Sequence, residues 1–125
     1  MDIVKVKITI EEINNFIREK MWLDFEVRNF DKYKLTLTGS IDISTVHDIE
    51  IIFEDVSFVS MPFEWKTDTS KTVLVFVEGE EATAINRRFQ VEKGYHIFKF
   101  IPEDFPEDFG CYLGAKSITY QINKQ

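Results

Sequence analysis

The sequence predicts a mainly β fold, an antiparallel β-sandwich or flattened barrel of about eight to ten short strands with one α-helix near residues 10–20. Three observations carry this. Apolar and polar residues alternate with period two through most of the chain. Turn-forming residues recur at near-regular spacing between those runs. Helical periodicity is confined to one stretch, too little helix for the crossovers of a parallel sheet. With 125 residues, 44% of them hydrophobic and 12 of them Phe, a single β-rich domain over residues 1–125 with its own core is expected.

Val4, Val6, Ile8 and Ile10 alternate with Lys5, Lys7 and Thr9, which predicts a half-buried first strand. Ile13, Phe16, Ile17 and Met21 then share a helical stripe, and Thr9-x-x-Glu12 offers a capping box at its start. Leu23, Phe25 and Val27 oppose Asp24, Glu26 and Arg28 on the next strand. A turn at Phe30-Asp31-Lys32 leads to Tyr33, Leu35 and Leu37, set against Lys34, Thr36 and Thr38. Gly39-Ser40 predicts a bend before Ile41 and Ile43. Ile49, Ile51 and Phe53 oppose Asp48, Glu50 and Glu54, and Asp55 separates that strand from another over 56–61. Residues 66–71 read as a polar loop, 72–78 as a strand and Gly79-Glu80-Glu81 as a turn. Residues 84–91 and 95–101 read as a hairpin around Glu92-Lys93-Gly94, and 115–122 as the closing strand. Two strands are apolar on both faces: Val73, Val75 and Val77 against Leu74 and Phe76, and Ile97 and Ile101 against Phe98 and Phe100. Such strands are expected at central positions with cover on both sides, from the helix and loops or from a partner subunit in a homo-oligomer.

The formal net charge of −7 repels phosphate backbones and anionic lipid, so neither nucleic acid nor membrane is an expected partner. A lone cysteine, Cys111, fits a reducing compartment. The chain opens without a basic head and apolar run, and no apolar stretch approaches the ~20 residues that span a bilayer, so a soluble cytoplasmic location is expected. The acidity is local. Residues 35–65 contain no Lys or Arg but carry Asp42, Asp48, Glu50, Glu54, Asp55 and Glu64. Residues 101–110 again lack a base and carry Glu103, Asp104, Glu107 and Asp108. Meeting in the fold, the two segments would form one strongly negative surface.

Catalytic chemistry is poorly provided for. Cys111 with His47 or His96 is the only thiol–imidazole combination, and the acidic loop before Cys111 disfavours a thiolate. His47-Asp48 has no second His at ligand spacing, and neither acidic segment has the spacing of a calcium loop, so no metal and no cofactor is expected. Asp48, Glu50 and Glu54 lie on one face of one strand, where two carboxylates cannot flank a scissile bond in contrasting environments. With five Gly and no Gly-rich loop, a phosphate cradle built from backbone amides is not expected.

What remains is surface. Pro-Glu-Asp-Phe occurs twice in succession, at 102–105 and 106–109, in a loop whose prolines exclude a central strand. Phe105 and Phe109 either anchor this loop in the sandwich end or stand exposed among carboxylates as anchors for a basic protein. A second aromatic group, Phe58, Phe63 and Trp65, surrounds Pro62. The resulting expectation is a non-enzymatic cytoplasmic interaction protein, of the inhibitor or immunity type, whose acidic face binds a basic protein partner. Its expected contact residues are Asp48, Glu50, Glu54, Glu103, Asp104, Phe105, Glu107, Asp108 and Phe109. The alternative is a β-sandwich module binding a carbohydrate or other small ligand through Phe63 and Trp65.

Overall fold

The computed structural model describes residues 1–41, 46–106 and 108–123. Asp42, Ile43 and Glu107 therefore lie outside the described residues. The elements, in chain order, are α1 (Ile3–Arg18), β1 (Leu23–Asp31), β2 (Lys34–Ser40), β3 (Ile49–Glu54), β4 (Phe58–Ser60), β5 (Glu64–Thr67), β6 (Leu74–Val77), α2 (Gly79–Phe89), β7 (His96–Phe100), β8 (Cys111–Ala115) and β9 (Ser117–Ile122). Among the described residues they form two antiparallel sheets, β5-β1-β2-β3-β9 (sheet A) and β4-β8-β7-β6 (sheet B), and no closed barrel. The fold is the mainly β sandwich that the alternation predicts.

The first corrected element is the N-terminal segment, which is helix from Ile3 rather than strand. Its alternating residues also satisfy the i, i+4 spacing. Val6 and Ile10 join Ile13, Asn14 and Ile17 on one buried helical face, while Val4 and Ile8 point to solvent at 66% and 52% exposure. The cap is Asp2, whose carboxylate accepts from the Lys5 N–H at 2.9 Å, in place of the expected box at Thr9 and Glu12. Thr9 instead donates to the Lys5 carbonyl one turn back, at 2.8 Å.

The second correction is 84–91, of which residues up to Phe89 form the end of the helix α2 and none is strand. Glu80 and Glu81 occupy the first turn of α2 and Arg87 and Arg88 the last, each complementing the helix dipole, and Gln90 ends it in the left-handed region. Glu92-Lys93-Gly94 consequently joins a helix to β7, with Gly94 at φ +97° as a turn requires. Smaller differences follow from pairing. The β1–β2 turn is Lys32-Tyr33, both at positive φ, one residue later than expected. Gly39 and Ser40 continue β2 by pairing with Phe25 and Asp24 instead of bending it, and residue 39 is Gly because a Cβ there would lie 2.8 Å from the Phe25 ring. Lys66 and Thr67 belong to β5, and residues 111–115 form β8.

Phe25, Phe53, Phe98 and Phe100 are fully buried between the sheets. Phe53 meets Phe98 edge-on at 5.0 Å between ring centroids, and Trp65 meets Phe100 at 5.3 Å. Strand β7 is central, as its two apolar faces require, but β6 is an edge strand. Its free edge is met by α1, which closes the sandwich side between β6 and β9, and Val77 on its outer face is covered by Ile85 of α2. Asn14, buried in α1, donates to the Leu74 carbonyl at 2.8 Å and accepts from the Leu74 and Val73 N–H groups at 3.1 and 3.3 Å. The helix thus supplies by side chain the hydrogen bonds a neighbouring strand would make. On the other side of sheet B, α2 packs Ile85 on Val77 and Ile97, and Phe89 stacks on Phe58 at 4.1 Å. No helix of the described residues is long and apolar enough to cross a membrane.

Candidate interaction surface

The covering helices leave the outer face of sheet A as the open face of the sandwich. Burial alternates at the start of β1 and along β3 and β5, so Leu23 and Phe25 point inward while Asp24 and Glu26 point outward. Register then brings side chains from five strands into one transverse row. Glu64 of β5 lies opposite Glu26 of β1, Glu26 opposite Thr38 of β2, Thr38 opposite Glu50 of β3, and Glu50 opposite Gln121 of β9. Glu26 and Glu64 are thus like charges directly across a strand pair, an unfavourable arrangement. The Glu26 carboxylate is partly compensated by Arg28 at 3.1 Å and by the Thr38 hydroxyl, which donates at 3.3 Å.

The two acidic segments meet at the β5 end of this row. The Glu103 N–H donates to the Lys66 carbonyl at 2.8 Å, laying the 101–106 loop along β5. Glu103, Asp104 and Phe105 then line, with Asp24, Glu64 and Lys66, a hollow of about 310 Å³. Asp104 sits there at φ +67°.

The expected contact residues divide. Glu50, Glu103 and Asp104 lie on or beside the row; the His47 ring stands 3.4 Å from Glu50. Asp48 is tied into the β2–β3 connection, accepting from the Ile41 N–H at 3.0 Å with Lys20 3.8 Å away. Glu54 is exposed at the far end of β3, opposite Ser117. Phe105 and Phe109 pack against each other with ring centroids 4.4 Å apart and planes tilted by 38°, and each stays about two-fifths exposed. Asp108 is exposed beside them. Residues missed by sequence reasoning are Asp24, Glu26 and Glu64. Their alternation placed the first two on a solvent face, but only strand pairing puts them beside Glu50 and Glu103.

The residues of the alternative site separate as well. Phe63 is 81% exposed, whereas Trp65 is 3% exposed, stacked on Phe25 at 5.7 Å, and presents no ring face to a ligand. Its Nε1 has no hydrogen-bond partner among the described residues.

Possible catalytic groups do not converge. Cys111 is buried on β8 opposite Phe100, and burial pushes its thiol up to about 12. His96 lies at the other end of β7, with Nε2 2.9 Å from the Met1 carbonyl, and His47 belongs to sheet A. A tight polar cluster outside sheet A clamps α2 to sheet B. There Glu81 accepts from the Tyr112 hydroxyl at 2.7 Å and from the Lys99 ammonium at 3.0 Å. These bonds, that from Tyr112 foremost, hold the Glu81 carboxyl below its ordinary range. Lys99 is raised by its bond to Glu81, and Tyr112 by burial and then by the same carboxylate. Among the described residues, no three His, Cys, Asp or Glu side chains group as a metal site. No family model, curated protein or solved structure matches the chain.

Proposed function

We propose that the chain is a non-enzymatic interaction domain of a reducing, cytoplasmic compartment, and that the acidic outer face of sheet A receives a basic protein in the manner of an inhibitor or antidote. The observation that carries this reading is the row Glu64–Glu26–Glu50, continued by Glu103 and Asp104. Asp24, Glu26, Glu50, Glu64, Glu103 and Asp104 outnumber the cations beside them, Arg28 and Lys66. A sheet selected for stability alone gains nothing from opposing Glu26 with Glu64, and a cationic partner would relieve that repulsion. The separation of Cys111, His47 and His96 supports a role in binding rather than catalysis.

The test is a pull-down from lysate of the source organism with wild type and a Glu50→Lys/Glu64→Lys variant, at low and moderate salt. A basic protein retained stoichiometrically by wild type, weakened as salt rises and lost with the folded variant is the expected result. Equal recovery by both proteins would remove sheet A from the interface.

A further inference from the structure

Away from the acidic face, the sandwich has an apolar cleft at the end formed by the β1–β2 hairpin. Phe30, Tyr33, Phe58, Val59 and Phe63 wall it, above a floor that includes the buried Leu35 and Val56, and it encloses about 350 Å³. Among the described residues, none that lines it is charged. The walls are fixed by backbone hydrogen bonds from both lips. The Val56 N–H donates to the Tyr33 carbonyl at 2.9 Å, where the chain, turned by Asp55 at φ +54°, leaves sheet A for sheet B. The Val27 N–H donates to the Phe63 carbonyl at 2.8 Å, holding the opposite lip against β1. The cleft is therefore preformed. Its aromatic walls are nonetheless open to solvent, with Tyr33 69% and Phe30 52% exposed.

We infer that this cleft is a binding site for a small, neutral, apolar molecule of two to three rings or equivalent hydrocarbon bulk. Size and charge make the assignment. The volume is roughly twice that of a 150 Å³ apolar cavity that takes up benzene, and it falls at the lower end of small-molecule sites. An ionised ligand would lose hydration inside without gaining an ion pair. A sugar would bring more hydroxyls than the Ser57 and Tyr33 side chains can pair, and the Ser57 hydroxyl already lies 3.4 Å from the Gly114 carbonyl.

The test uses N-phenyl-1-naphthylamine, a neutral three-ring dye that fluoresces on leaving water, titrated against the full chain. Saturable binding at one dye per chain is expected. Phe63→Ala, at a position exposed enough to leave the fold intact, should weaken it about tenfold, and Val59→Trp, which fills the cleft, should abolish it. The anionic sulfonate of the same ring system should bind at least about tenfold more weakly. Phe109→Ala, at the aromatic pair of the 101–110 loop, should change nothing. Absence of saturable binding to wild type, or binding indifferent to both cleft variants, would overturn the assignment. Equal affinity for the sulfonate would overturn its neutral character. A wild-type dimer that Phe63→Ala dissociates in sedimentation would make the cleft a surface for a second copy instead.

Discussion

Replacing Asn14 by Ala should detach α1 from sheet B, with a cost that can be worked from its two hydrogen bonds to Leu74. The Asn14 amide holds the Leu74 carbonyl at 2.8 Å, the Leu74 N–H at 3.1 Å and the Val73 N–H at 3.3 Å, in a site where Asn14 is 6% exposed and Leu74 fully buried. Alanine leaves the Leu74 donor and acceptor buried without partners, each at about 1–3 kcal/mol. Alanine's better helix propensity returns about 0.5 kcal/mol. The two Leu74 groups less that return give an expected net loss of about 1.5–5.5 kcal/mol, a large share of the roughly 5–15 kcal/mol that stabilises a domain. Urea unfolding followed by circular dichroism should show the loss as a lower midpoint with an unchanged slope. The Leu74 amide should also exchange its hydrogen faster. Asn15→Ala, one residue on, removes only an exposed bond from Arg18 and should stay within about 0.5 kcal/mol of wild type. A loss below about 0.5 kcal/mol for Asn14→Ala, or an equal loss in both variants, would refute the reasoning.

Three further outcomes are expected. Cys111, buried with its thiol near 12, should resist a thiol reagent at pH 8 in the native protein and react at once in denaturant; rapid native labelling would show that β8 opens. Glu81 titrates below its ordinary 4.5 in the folded state, so its contribution is fully present above that value and fades as pH falls through the lowered one. Glu81→Gln should therefore flatten the acid limb of the stability profile below about pH 4.5, modestly because the carboxylate is half exposed; an unchanged limb would contradict the clamp. Glu64→Lys should raise stability by roughly 0.5–1 kcal/mol by turning a repulsive pair with Glu26 into an attractive one, and a loss in urea unfolding would contradict the register.

The strands were legible where one face of a run is buried and the other wet, as in Leu23-Asp24-Phe25-Glu26 and Ile49-Glu50-Ile51. The N-terminal half of α1 was not, because its β-branched residues fit both periods over so short a run. What decides for helix is tertiary: Val6 and Ile10 share a face with Ile13 and Ile17 only at 3.6 residues per turn. In α2 only Ile85 is buried, too little for an apolar stripe, although the charges at its two ends were present to be read. The acidic segments were visible as composition. Their meeting depends on β5 pairing with β1 and on one bond between Glu103 and Lys66, which no local pattern encodes. The cleft draws its aromatics from three separate segments, and of these only Phe63 stood out in the sequence as a ligand contact.

The measurement that bears most directly on the acidic face is the association rate of the captured basic protein across roughly 20–300 mM salt, for wild type and for Glu50→Lys/Glu64→Lys. Steering by the row predicts a wild-type rate that falls at least about tenfold over that range, and a variant rate that is slower at low salt and nearly flat. Equal rates with equal salt dependence would place the contact elsewhere on the molecule and contradict the proposal.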